Sequence, residues 1–199
     1  MKPLLKCFIS ILLCAVYIDS SAQSLDANLD AVMRKYKAVG LAAVVVKNND
    51  IVYNKSFGYK NLESKTLLTE TDIFRIASIS KSFSATAIMQ LIAKKKISLD
   101  DDVSKLIGFT VRNPQYPEIV ITCKMLLSHR SSLNDSNGYF TLDSINPAKT
   151  ANASKCYNDY APGTKYQYCN LNFNIIGTII ERLSGERFDQ YIKKIFSIL

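Results

Sequence analysis

The sequence predicts an α+β fold, in which an antiparallel sheet is followed by a helical region. Two patterns support this prediction: valine-rich apolar runs joined by turn residues between positions 41 and 59, and apolar residues at helical spacing after Ser78. The 199-residue chain is 48% hydrophobic and 21% charged, a composition typical of a globular unit with a buried core.

Residues 1–22 have the layout of a secretory signal peptide. Lys2 and Lys6 precede an apolar run over residues 7–18, and small residues lead up to Ala22. The run is shorter than the ~20 residues that a membrane-spanning helix needs. We therefore expect cleavage after Ala22 and export to the periplasm or the exterior, with a single membrane anchor as the alternative.

The mature chain is expected to open with an amphipathic helix followed by a hairpin. The helix is predicted from apolar residues at helical spacing, Leu25, Leu29, Val32, Met33 and Tyr36. Strands are predicted over residues 41–47 and 51–59, with turn residues at 48–50 between them. Because a lone hairpin is marginally stable in water, further strands are expected to pair with it.

The next part of the chain is predicted to be a buried helix that starts near Ser78 and ends near the Lys94–Lys96 triplet. Its apolar residues Ala85, Ile88, Met89 and Ile92 recur at helical spacing. The run Asp100-Asp101-Asp102 is expected to cap a short segment through Ile107, and Thr122 is a suitable N-cap for a helix through Leu127.

The last part of the chain predicts two helices after a long polar connection. Residues 171–183 form one helix, with Gly185 just beyond its end, and residues 187–196 begin another. The connection, residues 131–164, lacks periodicity and is rich in Asn, Ser and Asp. Long connections of this kind often form a wall of a binding cleft.

Ser78 and Lys81 form an S-x-x-K pair at the predicted start of a helix. Side chains three residues apart share one helix face, so the two groups can touch. A serine hydroxyl needs a neighbour that removes its proton before it becomes a good nucleophile, and a lysine in a crowded pocket can accept or relay that proton.

The surroundings of this pair resemble the class C β-lactamase-like and penicillin-binding-protein-like serine hydrolases. The first motif region of that family resembles residues 74–83, and its Leu-Leu-x-His segment resembles residues 126–133. Tyr168-Cys169-Asn170 is similar to its second motif, Y-x-N. The likeness extends over roughly residues 25–196, which is nearly the whole chain after residue 22.

This resemblance implies both a fold and a chemistry. The fold would be β-lactamase/transpeptidase-like, an antiparallel sheet with a helical subdomain. Ser78 would be acylated, and Lys81 would accept or relay its proton. Tyr168 would act as general base and then leaving-group acid, and Asn170 would bind Lys81 and the substrate amide. The substrate would be a small molecule or a peptidoglycan peptide: a β-lactam, a D-Ala peptide or a small ester. A non-catalytic β-lactam or cell-wall-peptide sensor and an inactive fragment remain alternatives.

The family's third motif, K-x-G or H-x-G on a strand that lines the cleft, does not occur in the sequence. We therefore expect residues 23–199 to correspond to the N-terminal portion of the family's domain, with only the first hairpin and the helical region. Loss of an oxyanion donor typically lowers the rate by roughly 10² to 10³. Impaired turnover is the expectation for a chain of this extent.

The composition argues against several other classes. A single histidine, His129, cannot build a multi-histidine zinc site, and neither a metal nor another cofactor is predicted. The net charge of +8 is scattered along the chain, which argues against nucleic-acid binding but permits loose association with an anionic cell envelope. The sequence leaves the oligomeric state open.

His129 and the cysteines each allow a second interpretation. The resemblance makes His129 a structural residue at a helix end, whereas a serine triad would use it as the base. Cys123, Cys156 and Cys169 follow the predicted signal peptide. Export permits a Cys156 to Cys169 disulfide, but buried free thiols are favoured.

Overall fold

The computed structural model describes residues 25–196, which fall into two compact units that divide after Arg75. The predicted signal peptide, residues 1–22, lies outside the described residues.

The described residues of the first unit, 25–75, form a helix and a three-stranded antiparallel sheet. Helix α1 covers residues 25–35, and the strands are β1 (Gly40–Lys47), β2 (Asp50–Asn61) and β3 (Thr66–Leu67), in the order β1-β2-β3. Asn48 and Asn49 join β1 to β2 with φ values of 53° and 69°, the left-handed pair that a tight hairpin turn requires. The predicted hairpin is therefore confirmed. A further strand beside the hairpin was expected, but the position of β3 was not predicted, because two residues carry no detectable periodicity.

Polar contacts hold α1 against the sheet. The Tyr53 hydroxyl donates to Asp26 Oδ1 at 2.6 Å, and Lys55 pairs with the same carboxylate. Val44 and Val46 on β1 and Ile51 on β2 are more than half exposed. These strands therefore carry apolar side chains that nothing among the described residues covers fully.

The second unit is helical and contains nearly all of the buried core. Its α-helices are α2 (Ser80–Ala93), α3 (Val103–Ile107), α4 (Cys123–Leu127), α5 (Asn170–Ser184) and α6 (Phe188–Phe196). Short 3-10 turns lie at Ala77–Ile79, Leu142–Ser144 and Ala153–Cys156. Helix α5 is central, because it packs against each of the other four α-helices. Its fully buried apolar face consists of Leu171, Ile175, Ile176, Ile179 and Ile180.

The ends of these helices follow the predicted capping residues. Asp102 Oδ1 accepts from Ser104 N at 2.9 Å at the start of α3, and the Thr122 hydroxyl caps α4. Gly185 ends α5 with a φ of 73°, a conformation that costs glycine little. The predicted boundaries of the helices after Ser98 are therefore confirmed to within about two residues.

The buried face of α2 differs from the prediction. The buried residues are Ser84, Ala87, Ile88 and Leu91, whereas Met89 is 47% exposed. Polar residues are spread around α2 rather than confined to one side, so sequence spacing alone could not select a face. The contact with α5 selects it.

The three described cysteines are free and buried. The Cys156 thiol donates to the Ser144 carbonyl at 3.3 Å, and the Cys169 thiol donates to Asp135 Oδ1 at 3.2 Å. The alternative of a Cys156 to Cys169 disulfide is therefore wrong. Over residues 25–196, no helix has the length and apolar character needed to cross a bilayer.

Candidate active site

Ser78 lies in the 3-10 turn that leads directly into α2, and Lys81 lies in the first turn of that helix. The spacing brings Lys81 Nζ to 3.2 Å from Ser78 Oγ. The preceding residue, Ala77, has a φ of 45°, an uncommon conformation for a residue with a Cβ atom. Such conformations often occur at functional sites, where the surrounding structure maintains them.

Tyr168 and Asn170 complete the constellation from the other side. The Tyr168 hydroxyl is 2.7 Å from Ser78 Oγ and 2.7 Å from Lys81 Nζ. Asn170, the first residue of α5, accepts from Lys81 Nζ with its Oδ1 at 2.9 Å. The structure thus brings together all four residues that the sequence singled out.

Lys81 forms a hydrogen bond with each of the other three residues of this cluster. An ammonium group has three N–H donors, and here they reach Ser78 Oγ, Tyr168 Oη and Asn170 Oδ1. The pKa of Tyr168 is lowered from its ordinary value, first by the hydrogen bond from Lys81 and then by the bond with Ser78. A lowered pKa raises the phenolate fraction near neutral pH, which is what a general base requires.

Asp135 is a site residue that the sequence reasoning missed. Its Oδ2 accepts from Asn170 N and Asn170 Nδ2, both at 2.9 Å, and its Oδ1 accepts from Leu171 N at 3.0 Å. Burial acts to raise the pKa of Asp135, but the hydrogen bonds from Asn170, Leu171 and Cys169 outweigh it, so the pKa is lowered. One signal was available: Cys169 precedes α5 and lacks an oxygen to cap it, so an acceptor had to come from elsewhere.

His129 contacts Tyr168 and the residue that follows it, Cys169. Its Nδ1 accepts from Cys169 N at 3.2 Å, and its ring centroid lies 4.6 Å from that of Tyr168. Burial first, and then the charge of Lys81, lower the pKa of His129. The ring is therefore neutral at pH 7. Because Nδ1 faces a backbone donor and Tyr168 occupies the position next to Ser78, the geometry does not support a serine triad.

Metal-ligating side chains do not gather in the part of the chain that the structure describes. No group of three His, Cys, Asp or Glu side chains there could hold a metal ion. The side chains gathered at this site are a hydroxyl, a phenol, an amine and an amide, which are joined by hydrogen bonds.

Comparison with known proteins identifies the family. A family model described as Beta-lactamase matches residues 25–198.

The chain belongs to the β-lactamase family.

Curated relatives of the chain include Protein flp of Staphylococcus aureus strain MRSA252, which is 26% identical over 185 residues, and Esterase EstB of Burkholderia gladioli, which is 28% identical over 190 residues. These matches cover 87% and 84% of this chain but only 36% and 46% of the relatives. The chain therefore spans less than half the length of either protein.

A solved structure of an octameric penicillin-binding protein homologue from Pyrococcus abyssi is also similar. It is 31% identical, with a TM-score of 0.71, and the match covers 88% of this chain and 42% of that one. The predicted β-lactamase/transpeptidase-like fold, with a small antiparallel sheet and a helical region, is confirmed by this likeness and by the family model.

Proposed function

We propose that this β-lactamase-family chain is a serine hydrolase that cleaves an amide or ester through an acyl-enzyme at Ser78. The observation that carries the proposal is the position of Ser78 Oγ, 2.7 Å from the Tyr168 hydroxyl and 3.2 Å from Lys81 Nζ. These distances lie within hydrogen-bond reach of a base and of a cation that stabilises it.

In the acylation step, the Tyr168 phenolate takes the Ser78 proton while Lys81 holds the phenolate beside the hydroxyl. Ser78 Oγ then bonds to the substrate carbonyl carbon, and the carbonyl electrons move to oxygen. The oxyanion forms beside Ser78, near the start of α2, where the helix dipole is positive.

Tyr168 then returns the proton to the leaving amine or alkoxide as its bond to the carbonyl carbon breaks. In deacylation, Tyr168 takes a proton from water as the water oxygen bonds to the acyl carbon. The bond between that carbon and Ser78 Oγ then breaks, Tyr168 returns the proton to Oγ, and the acid leaves. Asn170 keeps Lys81 in place through the 2.9 Å contact of its Oδ1.

The proposed substrates are small esters, β-lactams and D-Ala peptides of the cell wall. The names of the relatives, an esterase and a penicillin-binding homologue, support this range without selecting within it. The proposed location is outside the cytoplasm after removal of residues 1–22. Removal of Lys2, Lys6 and Asp19 leaves a net charge of 23 − 16 = +7, which suits carboxylate-bearing substrates and an anionic envelope.

One alternative is a sensor or binding domain that is acylated at Ser78 without turnover. The 2.7 Å contact between Ser78 Oγ and the Tyr168 hydroxyl serves acylation in either case.

One experiment separates these functions. The purified chain and its Ser78→Ala variant are incubated with a fluorescent penicillin and, separately, with a chromogenic short-chain ester. Labelling of one site per chain that requires Ser78, followed by release of the label, supports the hydrolase. A Ser78-dependent label that persists supports the sensor. Equal labelling of the Ser78→Ala variant, or no labelling of either protein, overturns the proposal.

A further inference from the structure

The Asn170 side-chain amide lies between two charged groups of opposite hydrogen-bonding character. Lys81 can only donate, and its Nζ is 2.9 Å from Asn170 Oδ1. The ionised Asp135 can only accept, and its Oδ2 is 2.9 Å from Asn170 Nδ2. With a donor on one side and an acceptor on the other, only one orientation of the amide satisfies both neighbours.

Asp135 is itself firmly held. Its two oxygens accept from the backbone N–H groups of Asn170 and Leu171 and from the Cys169 thiol, at 2.9, 3.0 and 3.2 Å. These backbone groups belong to the first turn of α5, where N–H donors have no intrahelical acceptor and a negative charge is favourable. The carboxylate therefore caps α5 from a distant part of the sequence and cannot easily turn away from Asn170.

We propose that Asp135 is a positioning residue, which fixes the orientation of the Asn170 amide and thereby holds Lys81 against Ser78 and Tyr168. Without the carboxylate, the amide can turn over and present its NH₂ group to the ammonium. Lys81 then loses one of its three acceptors and moves away from Tyr168. The proposal concerns the same site as the proposed function and rests on it for the rate measurement alone.

The direction in which the pKa of Tyr168 shifts when Asp135 is replaced distinguishes this proposal from a simple loss of charge. The bond from Lys81 is the largest influence and lowers the pKa of Tyr168, whereas the negative charge of Asp135, acting through space, raises it. His129, whose ring lies 4.6 Å from that of Tyr168, is neutral near pH 7. Removing the Asp135 charge with nothing else disturbed would therefore lower the pKa of Tyr168. Loss of the Lys81 contact would raise it.

The first test is the Asp135→Asn variant, which keeps the size of the side chain and removes its charge. The pKa of Tyr168 is measured by NMR on protein labelled with ¹³Cζ-tyrosine, with the resonance assigned by its absence in Tyr168→Phe. We expect the pKa to rise toward its ordinary value. We also expect Ser78 labelling by a fluorophosphonate to slow by about 10²-fold, the cost typical of a misplaced catalytic group. Asp143→Asn, an exposed carboxylate in the same connection, is the matched control and should change neither quantity.

The second test separates positioning from capping. If Asp135 acts through Asn170, its replacement should have little further effect on the labelling rate once Asn170→Ala has removed the amide, because residues in one network are not additive. A purely structural cap would give the same fold-change in both backgrounds. The same comparison, with and without Asn170→Ala, is repeated for Asp135→Glu in case Asp135→Asn does not fold. Asp135→Glu keeps the charge and displaces it by one methylene.

The outcomes decide between the claims. A raised Tyr168 pKa together with non-additive labelling supports the positioning role. An unchanged or lowered pKa in folded Asp135→Asn, or equal fold-changes in the two backgrounds, overturns it. If the wild-type chain is not labelled at Ser78, the proposed function fails, whereas the pKa comparison still decides the role of Asp135.

Discussion

Replacing Tyr168 with phenylalanine removes one oxygen atom from the site and keeps the ring. That oxygen is 2.7 Å from Ser78 Oγ and 2.7 Å from Lys81 Nζ, so the change deletes both contacts at once. Tyr168 is 41% exposed and its ring lies 4.6 Å from that of His129, a contact that phenylalanine preserves. The free energy of unfolding should therefore fall by only about 1 kcal/mol, the usual net contribution of such hydrogen bonds.

The effect on acylation should be much larger. The remaining candidate base is Lys81, whose Nζ donates to Ser78 Oγ at 3.2 Å, a longer contact than that of the Tyr168 hydroxyl. General base catalysis typically contributes 10²- to 10⁴-fold. We therefore expect Ser78 labelling to slow by about 10²- to 10⁴-fold, equivalent to an increase of roughly 2.7 to 5.4 kcal/mol in the activation barrier.

The assay is the second-order rate constant for fluorophosphonate labelling, measured by gel fluorescence for wild type, Tyr168→Phe and a control. Tyr166→Phe is a suitable control, because Tyr166 is 67% exposed and contacts the same histidine with its ring at 6.0 Å. It should label at the wild-type rate. If Tyr168→Phe also labels within tenfold of wild type, Tyr168 is not the base and the proton path through it is wrong.

Three further predictions concern stability and processing. Ile176→Ala should lower the free energy of unfolding in urea by about 2 to 5 kcal/mol, because Ile176 is fully buried on α5, whereas Ile73→Ala, at a side chain that is 99% exposed, should change it little. The pKa of His129 in the folded chain is lower than its ordinary value of 6.5, so the unfolded chain binds more protons as the pH falls below 6.5. The free energy of unfolding should therefore decrease over this pH range, by at most about 1.4 kcal/mol per pH unit. His129→Gln should remove this fall, and a fall of the same size in that variant would contradict the assignment, since the chain has no other histidine. The intact mass of exported protein should correspond to a start at Gln23, and retention of residues 1–22 would contradict the signal-peptide prediction.

The sequence predicted the elements whose signals are local. Turn residues at Asn48 and Asn49 and capping residues at Asp102 and Thr122 act on their immediate neighbours, so they could be identified from short stretches of chain. The site residues Ser78, Lys81, Tyr168 and Asn170 were found through motif resemblance as well as chemistry. The structure adds their mutual distances.

The features that escaped prediction depend on distant contacts. Asp135 caps a helix that starts 35 residues later, and nothing in its own surroundings distinguishes it from other polar residues of the connection. The buried face of α2 is set by α5, which lies about 80 residues further along the chain, and a helix whose polar residues are spread around it has no strong periodic signal of its own.

Mapping the site of covalent modification tests the identity of the nucleophile most directly. The chain is treated with a fluorophosphonate, digested and analysed by tandem mass spectrometry, alongside Ser78→Ala and Ser80→Ala. The account predicts an adduct on Ser78 that disappears in Ser78→Ala and remains in Ser80→Ala, because two residues along a helix turn a side chain by about 200°. An adduct on Ser80 or another residue, or undiminished labelling of Ser78→Ala, would contradict the assignment of Ser78.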